Sequence, residues 1–63
     1  MALPFKKRVM IVEDDQEIRN SFTLIVNSSQ KFMVVNAYGT AEEAIANLNR
    51  DKPEIVLIGW HYW

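Results

Sequence analysis

Three short apolar runs alternate along the chain with two stretches in which apolar residues recur at helical spacing. The runs occupy residues 8–12, 32–38 and 54–58, and their length and β-branched content are typical of strands. The last run has no polar residue from Ile55 to Ile58, a pattern typical of a strand covered on both faces. The pattern therefore predicts three strands within a compact core.

The first helical stretch follows the first strand directly. Asp14 or Asp15 is expected to cap it, because a side-chain carboxylate can accept a hydrogen bond from a free N–H of the first turn. The predicted helix ends at the turn-forming residues 27–30. Its apolar stripe comprises Ile18, Phe22, Ile25 and Val26.

The second helical stretch begins at Thr40, and Glu43 three residues later completes the pattern of a capping box. The helix is expected to run to residues 49–52, because Pro53 prevents its continuation. Its apolar stripe comprises Ala41, Ala44, Ile45 and Leu48.

The element order is therefore β-α-β-α-β, with connections of helical length and no hairpin signal. Such connections are right-handed crossovers between parallel strands. The sequence predicts a three-layer α/β fold with a parallel sheet. With 63 residues the chain forms a single domain with a small core.

The composition and net charge limit the functions that this chain is expected to have. The net charge is −1, from seven basic and eight acidic residues, which argues against a nucleic-acid binder. There is no cysteine, and no apolar stretch approaches the roughly 18 residues of a membrane span. The first ten residues lack the apolar core of a signal peptide, so a cytoplasmic protein is expected.

Candidate chemistry lies at the end of the first strand, where Glu13, Asp14 and Asp15 follow an apolar run. Charge at the tip of a buried strand is costly unless a cation, a helix N-terminus or water compensates it. In open parallel sheets, binding sites form at the carboxyl ends of the strands. These carboxylates therefore mark the expected position of a Mg²⁺ site.

Four segments together resemble the first half of a bacterial response-regulator receiver domain: VMIVEDD at 9–15, QEIR at 16–19, GTAEEA at 39–44 and KPEIVLI at 52–58. The resemblance covers residues 8–58 and leaves 59–63 as an aromatic tail outside the family pattern. It implies half of a doubly wound, flavodoxin-like fold with strand order 2-1-3, truncated after the third strand. It also implies a phosphorelay, in which a histidine kinase would be the partner of the parent regulator.

The resemblance also implies a site. Its acidic Mg²⁺ pair falls on Glu13 and Asp14, the phosphoacceptor aspartate falls on Gly59, and a metal-binding carbonyl falls on His61. The Ser/Thr and Lys that complete such sites have no counterpart here. Glycine has no carboxylate to attack phosphorus, so no enzymatic activity is expected. No cofactor is required, and residual Mg²⁺ binding at Glu13 and Asp14 is expected to be weak.

The tail, residues 59–63, departs from the family pattern. It is interpreted as a foreign, frameshifted or engineered end, and the alternative is receiver sequence that has lost its phosphorylation site. For His61 a packing or surface role is favoured over titration near neutral pH or metal binding, because no second histidine or cysteine lies nearby in the sequence. The aromatic residues of the tail are expected to bury apolar area at an interface rather than stack on bases.

Truncation would turn the third strand into an edge with bare backbone groups, which favours pairing with another chain. A twofold homodimer is expected, its two third strands antiparallel at the seam of a six-stranded sheet. A strand-swapped dimer is the close alternative. The predicted interface comprises Ile55, Leu57, Trp60, Tyr62 and Trp63.

Three functions follow from this interpretation. The first is a non-catalytic, self-associating module, natural or engineered. The second is a degenerate receiver that binds a histidine kinase or phosphotransfer partner without being phosphorylated. The third, least supported by the residues, is phosphoryl transfer onto Asp14 or Glu13.

Overall fold

A computed structural model describes residues 5–59, which form an α/β fold around a three-stranded parallel sheet in the order β2-β1-β3. The predicted fold class and strand order are confirmed. The elements in chain order are β1 (Lys7–Val12), α1 (Gln16–Asn27), β2 (Phe32–Tyr38), α2 (Ala41–Ala46), α3 (Leu48–Asp51) and β3 (Ile55–Ile58).

The core lies on the central strand. Val9, Met10 and Ile11 of β1 expose 3%, 0% and 0% of their surface, because strands flank β1 on both sides and helices cover both faces. Val9 lies beneath α1, whereas Met10 lies beneath α2 beside the buried Ala44. Odd-numbered residues of β1 thus face α1 and even-numbered residues face α2, as the pleat requires.

Helix α1 begins as predicted. Asp15 is its N-cap, and the Asp15 carboxylate accepts a hydrogen bond from the Ile18 N–H at 3.1 Å. The predicted apolar stripe is only partly right. Phe22 and Val26 are half-buried, but Ile18 and Ile25 are 36% and 66% exposed.

The prediction that the second helical stretch forms one continuous helix was wrong. The stretch breaks at Asn47, whose φ of −111° and ψ of 7° separate α2 from α3. The Asn47 amide donates to the Glu43 carbonyl at 2.8 Å, a local bond that competes with helix continuation. The N-terminus follows the prediction, since the Thr40 hydroxyl accepts from the Glu43 N–H at 3.2 Å.

Strand β3 is an edge of the sheet within residues 5–59. The expectation that both of its faces are covered was wrong, because the helices pack mainly on β1 and β2. Its four residues are all substantially exposed, at 39%, 44%, 37% and 60% for Ile55, Val56, Leu57 and Ile58. An apolar strand therefore stands at the open side of the fold.

Candidate functional site

The end of β1 holds Glu13, one half of the predicted Mg²⁺ pair. Glu13 is only 2% exposed, and its carboxylate accepts a hydrogen bond from the Asp15 N–H at 2.8 Å. Its carbonyl accepts from the Arg19 guanidinium at 2.7 Å. Glu13 is thus folded inward at the N-terminus of α1, where the positive end of the helix dipole favours a negative group.

Glu13 and Gly59 are brought together at the ends of β1 and β3. The Gly59 N–H donates to the Val12 carbonyl at 2.8 Å, which holds Gly59 beside β1. A Cβ atom added to Gly59 would lie 1.6 Å from Glu13 Oε1 and 2.6 Å from Glu13 Cδ. The Glu13 carboxylate therefore occupies the space that any side chain at position 59 would need.

This arrangement bears on the expected Mg²⁺ site. Asp14 is exposed, whereas Glu13 is buried and its carboxylate accepts a hydrogen bond at the start of α1. Across residues 5–59, no three or more His, Cys, Asp or Glu side chains are grouped so that they could hold a metal ion. Cation binding by Glu13 and Asp14 stays a prediction.

The exposed strand β3 separates two apolar grooves. The first, here called the α1-side groove, has a volume of about 240 Å³ and includes the predicted interface residues Ile55 and Leu57. The second, here called the α2-side groove, has a volume of about 230 Å³ and includes Val56 and Ile58. The two pairs lie on opposite faces of β3, as strand alternation requires.

The α2-side groove is lined only by apolar residues, and sequence reasoning missed it. It lies between β3 and the second helical stretch, whose Ile45 and Leu48 remain 66% and 40% exposed. The full lining is Met10, Val12, Ala41, Ala44, Ile45, Leu48, Val56 and Ile58. The available signal was the unbroken apolar run of β3, which requires apolar contact on both faces rather than only at Ile55 and Leu57.

A polar cluster on the same face of the sheet was also missed. Asp51 is 7% exposed, and its carboxylate accepts hydrogen bonds from the Tyr38 hydroxyl and, at 3.1 Å, from Arg50 Nε. The Asp51 carbonyl accepts from Arg8 Nη2 at 2.6 Å. Asp51 thus ties α3 to both β2 and β1.

The charge on Asp51 is stabilised where it lies. The hydrogen bond from Tyr38 lowers the pKa of Asp51, burial opposes this, and Arg50 lowers the pKa further. Burial and the bond to Asp51 together raise the pKa of the Tyr38 hydroxyl. Because its hydrogen-bond partners all belong to this chain, Asp51 has a structural role. It holds α3, whose Leu48 lines the α2-side groove, against β1 and β2.

The remaining predicted site residues, Trp60, His61, Tyr62 and Trp63, lie outside the described residues. No helix within residues 5–59 is long and apolar enough to cross a membrane. No protein-family model matches the chain, and neither the curated proteins nor the solved structures contain a match to it.

Proposed function

We propose that this chain is a non-catalytic, self-associating interaction module with a receiver-like architecture, and that it forms a homodimer through β3. The observation that carries the proposal is the edge strand itself. Each of its four residues is apolar, and none is less than 37% exposed. An apolar edge strand without lysine, proline or a bulge favours pairing with a strand of another chain.

A second copy is the occupant that β3 suits best. The strand is apolar on both faces, and a twofold axis perpendicular to the sheet would place identical apolar faces side by side. Pairing of β3 with β3 would then be antiparallel, in a sheet of six strands. A strand-swapped dimer would satisfy the same backbone groups.

The length of β3 sets a further requirement. Four residues span about 13 Å, whereas a stable interface buries roughly 800 Å² on each partner. Strand pairing alone falls short of that area. The side chains of the two grooves, and the aromatic residues after Gly59, would supply the rest.

The residues at the strand tips support a role without catalysis. Gly59 carries no side chain that could accept a phosphoryl group. Glu13 is buried and hydrogen-bonded to the start of α1, which disfavours it as an alternative nucleophile. The proposed module requires no cofactor and no nucleic acid, and its receiver-like architecture favours the cytoplasm.

Light scattering coupled to size-exclusion chromatography, over a dilution series, tests the proposal. Ile58→Lys places a charge on the 60% exposed end of β3, and Leu24→Lys places the same charge at a 74% exposed position on α1. We expect a dimer that Ile58→Lys dissociates and Leu24→Lys leaves intact. A wild-type chain that stays monomeric at every concentration contradicts the proposal.

A second candidate function rests on α1. Leu24 and Ile25 are 74% and 66% exposed, and adjacent apolar side chains on a helix surface favour contact with a partner. In receiver domains the first helix contacts the histidine donor, so a degenerate receiver would bind a histidine phosphotransfer protein here. Binding of such a protein that Leu24→Lys abolishes and Ile58→Lys spares would favour this function over self-association.

A further inference from the structure

The charged residues of this chain are separated between the two ends of the sheet. Five of the seven basic residues lie at the amino ends of the strands, and this region, together with Glu54, is here called the basic end. Its cations are Lys6, Lys7, Arg8, Lys31 and Lys52. Five positive charges and the one carboxylate give the basic end a net charge of +4.

The opposite end of the sheet, here called the acidic end, carries six of the eight acidic residues. They follow β1 and β2 and comprise Glu13, Asp14, Asp15, Glu17, Glu42 and Glu43. Arg19 also lies at this end, because its guanidinium donates to the Glu13 carbonyl at 2.7 Å. Six negative charges and one positive charge give a net charge of −5. The remaining two charged residues, Arg50 and Asp51, pair with each other at 3.1 Å.

Backbone contacts hold the cations of the basic end close together. The Lys7 N–H donates to the Lys31 carbonyl at 2.9 Å, which joins the starts of β1 and β2. The Glu54 N–H donates to the Arg8 carbonyl at 2.8 Å, and Arg8 Nε donates to the Lys52 carbonyl at 3.2 Å. Charges of one sign gathered in this way produce a field that attracts a surface of the opposite sign.

We propose that in the homodimer the acidic end of each copy faces the basic end of the other, and that this charge complementarity selects antiparallel pairing of β3. The inference rests on the proposed self-association and names what orients it. A twofold axis perpendicular to the sheet reverses one copy and sets opposite charges side by side. A twofold axis parallel to the strands would instead set basic beside basic and acidic beside acidic, which is costly.

Asp14 and the partner's Lys52 are the exposed charges that this pairing brings nearest to the seam. Met10 pairs with Val56, so Asp14 lies four residues beyond that level and Lys52 lies four residues before it. A twofold axis at Val56 therefore sets the two residues at similar heights. They belong to strands two spacings apart, about 10 Å, which equals the Debye length at roughly 0.1 M salt.

The first test reverses one charge at a time and then mixes the variants. Lys52→Glu and Asp14→Lys each set like charges together twice in a homodimer, and each should raise the dimer dissociation constant about tenfold. In an equimolar mixture, every reversed charge of one variant faces an opposite charge on the other. We expect a mixed dimer by native mass spectrometry at concentrations at which each variant alone is monomeric.

Lys31→Glu is the matched control for Lys52→Glu. It makes the same change at the same end but precedes β2, two strands away from β3, so it should weaken the dimer much less. Circular dichroism of all three variants checks that each is folded. A mixture of Lys52→Glu and Asp14→Lys that associates no better than the separate variants would overturn the inference.

The second test uses salt. Raising NaCl from about 50 mM to about 500 mM screens exposed charges and should weaken the wild-type dimer about fivefold. The same change should strengthen the Lys52→Glu dimer, because it screens repulsion instead of attraction. Sedimentation equilibrium measures both slopes, and slopes of the same sign would contradict the inference.

The outcomes separate this inference from the proposed function. A demonstrated wild-type dimer that is indifferent to salt and to both charge reversals would overturn the orientation by charge and leave self-association in place. A chain that is monomeric at every concentration and salt would overturn self-association, and the orientation with it.

Discussion

The Glu13 carboxylate lies over Gly59 so closely that a Cβ atom at position 59 would be 1.6 Å from Glu13 Oε1. The two residues terminate neighbouring parallel strands, which places them side by side although 46 positions separate them in sequence. The buried position of the Glu13 carboxylate therefore depends on the absence of a side chain at Gly59.

Gly59→Ala should destabilise the fold by about 1–3 kcal/mol, because the new methyl group forces Glu13 out of its buried position and away from the Asp15 N–H. In a Glu13→Ala background the same substitution should cost much less. Urea unfolding of the four proteins of this double-mutant cycle measures the difference. Equal costs in the two backgrounds would mean that the contact does not govern the choice of glycine.

Cation affinity should depend on the same contact. In the wild-type chain the Glu13 carboxylate is buried and hydrogen-bonded, so we expect Mg²⁺ binding to need its rearrangement. The methyl group of Gly59→Ala would already have forced that rearrangement. We expect Gly59→Ala to bind Mg²⁺ about five- to tenfold more tightly, since about 1–1.4 kcal/mol of rearrangement is removed. Calorimetric titration with MgCl₂ measures this, with Glu13→Ala/Gly59→Ala as the control. Equal affinities in wild type and Gly59→Ala would contradict the expectation.

Asp51 should contribute an acid-sensitive part of the stability. The hydrogen bond from Tyr38 holds the pKa of Asp51 below its ordinary value, with a further lowering by Arg50. A carboxyl group with a lowered pKa stabilises the fold above its unfolded-state pKa, about 3.9, and this contribution is lost as pH falls through the folded-state pKa. Asp51→Asn should therefore lower stability at neutral pH and converge with wild type in acid.

Urea midpoints from roughly pH 7 down to pH 2 measure that convergence. Tyr38→Phe removes the hydroxyl donor and keeps the ring, so it should reduce the same pH dependence in part. A constant gap between wild type and Asp51→Asn over the whole range would show that Asp51 acts through packing rather than through its charge.

The start of α2 depends on the Thr40 hydroxyl. Thr40→Ala removes the acceptor of the Glu43 N–H and should destabilise the fold by about 1 kcal/mol, whereas Thr40→Ser should retain most of it. Ser21→Ala is the matched control, because the Ser21 hydroxyl only donates to the Glu17 carbonyl within α1. Thermal unfolding of the three variants tests the ranking, and a Ser21→Ala loss as large as that of Thr40→Ala would contradict it.

Local patterns in the sequence were sufficient for the strands, for the N-cap at Thr40 and for a first N-cap at Asp14 or Asp15, and the crossover connections were sufficient for a parallel sheet. The strand order was predicted only from the receiver resemblance. The sequence did not predict the break at Asn47, where a side-chain bond to the Glu43 carbonyl competes with an otherwise continuous helical stripe. Local patterns carry little information about such a competition.

The orientation of the Glu13 side chain over Gly59 and the Asp51 cluster were missed for a different reason. Each joins residues distant in sequence, and each depends on side-chain orientation that parity alone does not fix. Glu13 and Asp14 look equivalent as a carboxylate pair in the sequence, yet one is buried and the other exposed. The α2-side groove was missed because the apolar residues of the second helical stretch that line it have the spacing of ordinary core residues.

The way in which the open edge of β3 pairs also determines whether an assembly of several copies of this chain stops growing. Pairing of β3 with β3 about a twofold axis uses the β3 edge of each chain and closes after two chains. Pairing of β3 with the opposite edge, β2, of the next copy would be head-to-tail, and each addition would leave a new free β3. The first mode gives a finite particle and the second a filament, so the competition between these two edges would govern the solubility of the protein at high concentration.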